Sequence, residues 1–418
     1  MQNIPYAVAA RVSKHRRVAA LACLSALALT ACGGSDASDS EENGATAAAT
    51  TEATPTTSAP TTEVPEQTCV STAYEALSED QRLGQLLMIG FDTNAPLESL
   101  DDEITDGHVG NVIYLGGWEG FDKVRSTSEH LEGLVSDAST GGVGLIIAAD
   151  QEGGIVHQLR GEGFTRPPRA LDQAQQSPAE LTEAAAGWGE EIASAGVNLN
   201  LAPVADTVPE EIGTANEPIG RWGRQFGSDP EVVGEYVAAF LDGMSQAGVE
   251  GIVKHFPGLG RVTGNTDFTA EGIEDTVATV EDPFLEPFVA GMDAGASMVM
   301  MSSALYPNID PENQALYSSA VVTDLLRDRL GWDGVVITDD VNAAALSDIP
   351  AGERAVRFIG AGGDIVLNGD PNATGEMLDA IRAEMAADPA FAEQVEASVT
   401  RVLTLKDEMG LLPCSAAS

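Results

Sequence analysis

Gly334-Val335-Val336-Ile337-Thr338-Asp339-Asp340 is a short apolar run that ends in two acids. It is rich in β-branched residues and lacks the strict alternation of a half-buried strand, which predicts a strand buried on both faces. Further runs of this kind lie at residues 85–91, 111–115, 144–150, 198–204, 251–256, 297–302 and 364–368. Eight buried strands of this type are typical of a parallel sheet inside an α/β protein.

Helical patterns separate these runs, for example at residues 178–195, 230–247 and 319–330, and a last helix is predicted at 389–408. Strand and helix therefore alternate along the chain. The alternation predicts an α/β fold of the (β/α)8 TIM-barrel type, formed as a single domain by residues 69–414. A doubly wound open sheet is the alternative that the same pattern allows.

The first residues have the character of an export signal. Four basic residues between positions 11 and 17 precede an apolar run at 18–29, which is too short to span a bilayer. The run ends in Leu29-Thr30-Ala31-Cys32, which resembles a bacterial lipoprotein cleavage site. We therefore expect residues 1–31 to be a signal peptide and Cys32 to carry lipid, with an ordinary cleaved signal peptide as the alternative.

Residues 32–68 follow as an acidic segment of Ser, Thr, Ala, Pro and Glu with almost no large apolar side chain. Such a segment cannot bury enough surface to offset the entropy of ordering it, so it is predicted to be a flexible tether. Residues 415–418 are a short tail. Together these features predict an extracytoplasmic protein that is anchored by lipid to the cell membrane.

Composition narrows the range of partners. The formal net charge is −44, which repels phosphate polymers and makes nucleic acid an unsuitable partner. Of the four cysteines, one is removed with the signal and one takes lipid, which leaves Cys69 and Cys414 as a predicted disulfide. No metal-ligand spacing occurs, and we expect a monomer without metal or cofactor.

Polar residues follow several of the predicted strands. They are found in Asp150-Gln151-Glu152, in Asn200 to Asp206, in Lys254-His255 and in Asp339-Asp340. In a barrel the carboxyl ends of the strands meet at one face, so these side chains are expected to converge there. A mixture of acids, lysine and histidine suits a neutral polyhydroxylated substrate better than a nucleotide.

The acid pair at the end of the seventh run is a candidate for nucleophilic chemistry. Retaining glycosidases use a carboxylate that attacks the anomeric carbon, together with a nearby proton donor. Asp339 and Asp340 are both candidates, and in extended backbone only one of them can face the barrel axis. The alternative is that the pair caps a helix.

Six blocks of sequence, taken in order, resemble a known family: Leu83-Gly84-Gln85-Leu86-Leu87-Met88, Asp150-Gln151-Glu152-Gly153-Gly154, Asn200-Leu201-Ala202-Pro203-Val204-Ala205-Asp206, Arg224-Gln225-Phe226-Gly227, Lys254-His255-Phe256-Pro257-Gly258 and residues 334–340. From about residue 77 to 412 the chain resembles the single-domain branch of family 3 glycoside hydrolases, the β-N-acetylglucosaminidases of peptidoglycan recycling. The resemblance implies a (β/α)8 barrel.

The resemblance also implies roles for particular residues. Asp339 would be the nucleophile, and the ligands of the sugar hydroxyls would be Asp150, Arg224, Lys254 and His255. Other interpretations stay open: Lys254 and His255 as a buried pair, Lys254 as a Schiff-base lysine, and Arg224 as a helix cap or a partner of Asp229. Trp118 and Trp222 are expected in loops, where each either stacks on a sugar or packs against protein.

The chain departs from the family after the fifth strand. The family has Asp, then Ser or Thr, then His at the position of its acid/base, where this chain has Asn265-Thr266-Asp267. We predict that Asp267 takes over as general acid/base and that Asn265 belongs to the substrate-binding set. Arg261 and Lys254 are expected to oppose the raised pKa that Asp267 needs, and the loop glycines are expected to let the loop fold over the sugar.

A second departure follows the sixth strand, where the family often has histidine and this chain has Met301-Ser302-Ser303-Ala304. If Asp267 is not the acid/base, His255 and His157 are the next candidates.

The sequence thus predicts an exo-acting, retaining, β-N-acetylhexosaminidase-like glycoside hydrolase. Its substrate would be a cell-envelope glycan and its intermediate a covalent glycosyl-enzyme on Asp339. Two alternatives belong to other classes. The first is a catalytically silent glycan-binding lipoprotein, suggested by the altered loop, and the second is a solute-binding lipoprotein that feeds a transporter.

Overall fold

The computed structural model describes residues 68–415. The predicted signal peptide, Cys32 and all but the last residue of the predicted tether lie outside these residues. None of the helices within 68–415 combines the length and apolar character that crossing a bilayer requires.

Eight parallel strands form the centre of the fold. They are β1 (Leu87–Asp92), β2 (Asn111–Leu115), β3 (Ile146–Ala149), β4 (Leu199–Asn200), β5 (Glu250–Phe256), β6 (Met298–Met301), β7 (Val335–Thr338) and β8 (Val366–Asn368). Each strand pairs with the next along the chain from β1 to β7, and β8 pairs with β1. A parallel bridge between Ile337 and Ile365 links β7 to the start of β8 and closes the ring. The predicted (β/α)8 barrel is confirmed.

Helices surround the barrel of strands, and further helices lie before the first strand and after the last one. They are α1 (Cys69–Ala76), α2 (Glu79–Gly84), α3 (Asp101–Thr105), α4 (Phe121–Glu132), α5 (Ala170–Gln173), α6 (Pro178–Ser194), α7 (Pro230–Gln246), α8 (Glu286–Asp293), the π-helix Ala320–Arg329, α9 (Ala351–Gly360), α10 (Thr374–Ala387) and α11 (Pro389–Glu408). Side chains next to the first residue of a helix help to determine where the helix begins. At α6, Ser177 and Glu180 form a reciprocal capping box just before and after Pro178.

The fourth strand is shorter than predicted. The apolar run at 198–204 suggested a strand of seven residues, but β4 ends at Asn200. Leu201 N still donates to Ala149 O and Ala202 O still accepts from Ile252 N, but Pro203 has no N–H group and interrupts the regular ladder of hydrogen bonds. Val204 returns to form one isolated bridge with Lys254. This path carries the residues after β4 onto the rim of the barrel.

The amino ends of the strands are closed by the last helix. Lys406 on α11 is buried and donates hydrogen bonds to Gln85 Oε1, Gly110 O and Gly144 O at 2.7, 2.8 and 2.9 Å. These three acceptors lie just before β1, β2 and β3. Cys69 and Cys414 form a disulfide with a Cα–Cα distance of 5.6 Å, which joins the start of α1 to the segment after α11. The carboxyl ends of the strands are left as the accessible face.

Candidate active site

The polar residues singled out at the strand ends occupy the carboxyl face of the barrel. Asp150 follows β3, Lys254 and His255 lie at the carboxyl end of β5, and Asp339 directly follows β7. Arg224 reaches the same face from the long segment between β4 and α7. The barrel therefore brings together side chains that are far apart in the sequence.

Lys254 and Arg224 are held by a shared carboxylate. Lys254 Nζ lies 2.6 Å from Asp150 Oδ1 and 2.6 Å from Glu152 Oε1. Arg224 donates from Nε to Glu152 Oε2 at 2.8 Å and from Nη2 to Glu152 Oε1 at 2.7 Å. This two-pronged pairing fixes the plane of the guanidinium group. Arg224 therefore contacts neither a helix end nor Asp229, whose side chain instead caps α7.

Charge pairing controls ionisation in this network. Burial raises the pKa of Glu152, but Arg224 and Lys254 outweigh burial and lower it to about 2. Burial lowers the pKa of Lys254, but Asp150 and Glu152 outweigh burial and raise it. A Schiff-base lysine needs a depressed pKa to be a free amine. Lys254 is instead a charged hydrogen-bond donor, so the Schiff-base interpretation is wrong for this geometry.

His255 is oriented by a second buried carboxylate. Its Nδ1 lies 2.7 Å from Asp206 Oδ2, and Asp206 is fully buried. The other oxygen of Asp206 accepts hydrogen bonds from Leu259 N at 2.7 Å and from His255 N at 3.3 Å. With Nδ1 facing Asp206, the opposite ring nitrogen, Nε2, is available to the site. The Lys254–His255 peptide bond is cis.

The two acids after β7 have different partners. Asp340 Oδ1 accepts hydrogen bonds from Gly369 N and Asn342 N, both at 3.0 Å, so it ties the end of β7 to the end of β8. Asp339 Oδ1 accepts a hydrogen bond from Asp340 N at 2.9 Å. Asp339 interacts electrostatically with His255, Asp267 and Lys254. Asp339 is therefore the acid of the pair that faces the site.

The pKa of Asp339 is raised above its ordinary value. Burial is the largest cause, and the negative charge of Asp267 adds to it. His255, Lys254 and the N–H of Asp340 act in the opposite direction and favour the carboxylate. His255, Lys254 and the N–H of Asp340 therefore stabilise the carboxylate form of Asp339, which is the form that acts as a nucleophile.

The loop between β5 and α8 brings Asp267 to the same site. Asn265 Oδ1 accepts a hydrogen bond from Asp267 N at 3.0 Å and so forms the turn that carries Asp267. The loop is docked on the segment after β7, because Ala345 N and Ala344 N donate to the carbonyl oxygens of Thr266 and Asp267. Asn265 thus acts as a turn former, and its contact with a sugar stays a prediction.

The environment of Asp267 favours its protonated form. Asp267 is exposed at the mouth of the site, yet desolvation by the surrounding protein is the largest cause that raises its pKa. Asp340 and Asp150 raise this pKa further, while Arg224 and His255 lower it. Arg261, which was expected to oppose the shift, instead pairs with Asp282 at 2.6 Å and Asp275 at 3.3 Å. That expectation was wrong, because Arg261 anchors the base of the loop.

Glycines in this loop serve close packing. A Cβ at Gly260 would lie 1.7 Å from Thr207 O, and one at Gly264 would lie 2.1 Å from Glu271 O. Backbone segments approach each other there at distances that only glycine allows. These two glycines therefore hold the loop in place, where the sequence suggested that they let it move.

Other candidates lie elsewhere or have other partners. Trp118 is buried against Tyr114 and Phe91 and donates its Nε1–H to Phe91 O at 3.2 Å, so it is a packing residue. Trp222 is half-buried at the rim. Burial, followed by two nearby arginines, lowers the pKa of His157 to about 4, which leaves it neutral near pH 7 and unsuited to donate a proton.

After β6, Ser302 is buried and accepts a hydrogen bond from Tyr306 Oη at 3.1 Å. In the part of the chain that the structure describes, no group of three or more His, Cys, Asp or Glu residues is arranged to hold a metal ion.

Sequence reasoning overlooked Glu152 and Asp206. Both occur in the motifs quoted above, but no role was assigned to them. Two buried cations predicted at one rim need a nearby negative charge. That requirement was the signal that could have identified Glu152.

The chain is similar to several known proteins in sequence and in fold. The family model described as "Glycosyl hydrolase family 3 N terminal domain" matches residues 78–405. A β-N-acetylhexosaminidase crystal structure from Beutenbergia cavernae is 49% identical with a TM-score of 0.77, over 79% of this chain and 98% of that chain. A family 3 β-N-acetylglucosaminidase from Paenibacillus is 31% identical with a TM-score of 0.69, over 82% of this chain and 64% of that chain. A β-hexosaminidase from Xanthomonas oryzae is 35% identical over 246 residues, 57% of this chain and 71% of the relative.

Proposed function

The chain belongs to glycosyl hydrolase family 3, and from this premise we propose that it hydrolyses β-N-acetylhexosaminides with retention of configuration, through a covalent intermediate on Asp339. It is a glycoside hydrolase, and the curated and structural relatives named above support the sugar class. The glycan-binding and solute-binding alternatives are not favoured.

The observation that carries the proposal is the different environment of the two acids after β7. The carboxylate of Asp340 is occupied by backbone groups of the neighbouring strand end. Asp339 interacts with His255, Lys254 and Asp267, and one of its oxygens is fixed by a backbone N–H. Because a hydrogen bond holds one oxygen of the Asp339 carboxylate, the other oxygen is free to attack an anomeric carbon.

In the first chemical step, a carboxylate oxygen of Asp339 forms a bond to the anomeric carbon while the bond from that carbon to the leaving-group oxygen breaks. The carboxylic acid of Asp267 supplies the proton that the leaving oxygen needs. Asp267 suits this role because its pKa is raised, first by desolvation and then by Asp340 and Asp150. The step produces a glycosyl ester on Asp339 and a carboxylate on Asp267.

In the second step, the carboxylate of Asp267 takes a proton from a water molecule whose oxygen bonds to the anomeric carbon. The ester bond to Asp339 breaks, and its carboxylate is released. Two displacements on the same carbon restore the original configuration.

Sugar hydroxyls have donors and acceptors around this carbon. Lys254 and Arg224 supply fixed N–H donors, because Glu152 and Asp150 hold their charged groups in place. Asp150 supplies a carboxylate acceptor, and His255 presents the ring nitrogen that Asp206 leaves free. Groups held in this way lose little entropy when they bind a ring.

Covalent trapping tests the proposal. A fluorinated N-acetylglucosaminyl fluoride should inactivate the protein, and mass spectrometry of its peptides should find the sugar on Asp339. Asp339→Asn should keep the fold and form no adduct. An adduct on Asp340, or inactivation of Asp339→Asn at the rate of the wild type, would overturn the assignment. Binding of the sugar with neither turnover nor adduct would favour the glycan-binding alternative.

We further propose that the enzyme is lipid-anchored through Cys32 outside the cytoplasm and acts from the chain ends of cell-envelope glycans. The lipoprotein-like sequence before Cys32 supports the anchor. The Cys69–Cys414 disulfide supports an oxidising compartment. Mass spectrometry of the N-terminal peptide from the full chain expressed in bacteria should find acyl groups on Cys32. If a Cys32→Ala variant associated with membranes as strongly as the wild type, the proposed lipid anchor would be contradicted.

A further inference from the structure

Asn216 is a fully buried polar residue that the mechanism described above does not use. It lies in the long segment between β4 and α7. Its side-chain amide makes four hydrogen bonds, all of them to backbone groups. An asparagine amide offers two N–H donors and an oxygen that accepts two hydrogen bonds, so the capacity of Asn216 is used completely. A buried side chain paired in this way fixes the segments that it joins.

The amide nitrogen of Asn216 holds the base of the loop that carries Asp267. Nδ2 donates to Leu259 O at 2.7 Å and to Val262 O at 2.6 Å. Val262 N also donates to Leu259 O at 3.2 Å, so Asn216 closes a turn of this loop. Asp267 follows the turn by five residues. The position of the turn therefore sets the point from which the loop runs to Asp267.

The amide oxygen of Asn216 holds the turn that leads to Arg224. Oδ1 accepts hydrogen bonds from Ile219 N at 3.0 Å and from Gly220 N at 2.6 Å. Ile219 O accepts a hydrogen bond from Arg224 N at 3.2 Å, and Pro218 O accepts one from Arg224 Nη1 at 2.9 Å. Both the backbone and the guanidinium group of Arg224 are therefore supported by this turn.

The two elements that Asn216 joins meet again at the active site. Desolvation raises the pKa of Asp267, and among the charged groups Arg224 lowers that pKa most. Asp267 has to reach the glycosidic oxygen while Arg224 holds the sugar, so proton transfer depends on how the loop lies against the turn. A misplacement of about 1 Å can slow a chemical step by about 100-fold.

We propose that Asn216 is a positioning residue for general acid/base catalysis, which holds the loop of Asp267 in register with the turn of Arg224. This inference rests on the proposed function, and in particular on the role of Asp267. It adds that the proton donor is placed by a buried amide that takes no part in the bond changes.

Asn216→Asp separates the two halves of this contact. A carboxylate has nearly the same shape as the amide but no N–H donors, so it keeps the contacts to the turn and loses those to the loop. For a disaccharide of N-acetylglucosamine, whose leaving group needs a proton, kcat/KM should fall about tenfold or more. For dinitrophenyl N-acetylglucosaminide, whose leaving group departs without a proton, it should fall less than about threefold.

Azide gives a second readout that a loss of stability would not change. In the glycosyl-enzyme, a nitrogen of azide can bond to the anomeric carbon while the ester bond to Asp339 breaks, which yields a glycosyl azide. The Asp267 carboxylate repels the anion when it is in place. Asn216→Asp should therefore form glycosyl azide from the dinitrophenyl substrate and turn over faster when azide is added, and the wild type should form none.

Asn111→Asp is the matched control. Asn111 is also fully buried, and its Nδ2 also donates to two carbonyl oxygens, those of Gln85 and Leu87, both at 2.9 Å. It is the first residue of β2 and so lies at the amino ends of the strands, away from the acid/base loop. The change should lower the unfolding free energy, leave the ratio of the two kcat/KM values as in the wild type and give no glycosyl azide.

Two further variants complete the test. Asn216→Ala removes the contacts to the loop without burying a charge, and it should change the ratio in the same direction as Asn216→Asp, including where Asn216→Asp does not fold. In an Asp267→Ala background, Asn216→Asp should change the ratio no further, because Asn216 acts through Asp267.

The outcomes separate this inference from the proposed function. A wild-type ratio in both Asn216 variants, or glycosyl azide formed equally by the wild type, would overturn the inference alone. A further change of the ratio in the Asp267→Ala background would also overturn it. Failure of the wild type to hydrolyse either substrate would overturn the proposed function and the inference with it.

Discussion

Replacing Glu152 by glutamine removes the negative charge that contacts both Lys254 and Arg224. The pKa of Glu152 falls from its ordinary 4.5 to about 2 in the folded protein, since its two cationic partners outweigh the effect of burial. This difference corresponds to about 3 kcal/mol of folding free energy near neutral pH. Removing one partner of a buried ion pair independently suggests a loss of about 3–5 kcal/mol.

The pH dependence follows from the direction of the shift. A depressed carboxyl pKa stabilises the fold above the unfolded pKa of 4.5, and the contribution is lost as pH falls toward 2. The difference in stability between wild type and Glu152→Gln should therefore narrow from about 3 kcal/mol near neutral pH to about 2 kcal/mol at about pH 3.5.

Urea unfolding of both proteins at several pH values measures this difference. Glu129→Gln is the control, because Glu129 is 61% exposed and pairs with Arg125 on the surface of α4. That change should cost less than about 0.5 kcal/mol. A loss below about 1 kcal/mol for Glu152→Gln near neutral pH, or a difference that does not narrow with falling pH, would refute the reasoning.

Three further predictions concern other parts of the molecule. Replacing Cys69 and Cys414 by serine opens a covalent loop with a sequence separation of 345 residues. The change should lower the unfolding free energy, measured in guanidinium titrations, by up to about 6 kcal/mol. A loss below about 1 kcal/mol would be inconsistent with this expectation. Asp267→Ala should lose most activity on substrates with poor leaving groups, lose less on dinitrophenyl glycosides and regain rate when azide is added. If the variant hydrolyses substrates with poor leaving groups as fast as the wild type, the acid/base lies elsewhere. Burial lowers the pKa of Lys406 from 10.5 to about 7, so the unfolded chain holds more protons between these pH values and stability rises with pH through that window. Lys406→Met should weaken this rise when Tm is followed from pH 7 to 10, and equal slopes in the two proteins would contradict the assignment.

Local sequence predicted the barrel well because a strand buried on both faces leaves a continuous apolar run. The predicted run at 111–115 coincides with β2, and the run at 251–256 differs from β5 by one residue. The run at 198–204 misled because its apolar residues continue through Pro203, which has no N–H group and interrupts the regular ladder of hydrogen bonds after β4. The helix predicted at 319–330 is a π-helix, and side-chain periodicity does not report which carbonyl each N–H group reaches.

Loop chemistry was harder to predict than the strands. Asn265 and Asp267 were identified from their departure from the family pattern, and the structure brings Asp267 near Asp339. Arg261 was expected to oppose the raised pKa of Asp267, but it pairs with Asp275 and Asp282, and these contacts depend on how a long loop returns to its own base. Nothing in the spacing of these residues indicates that return.

The sequence by itself determined the order of strands and helices, the acids and cations at the strand ends, and the family, because each of these is written in short contiguous runs. The tertiary structure decided that Asp339 and not Asp340 faces the site, that Glu152 holds both Arg224 and Lys254, and that Asp206 orients His255. Glu152 and Arg224 are 72 residues apart, and Asp206 and His255 are 49 apart. Contacts over such separations form only when closure of the barrel brings the strand ends to one rim.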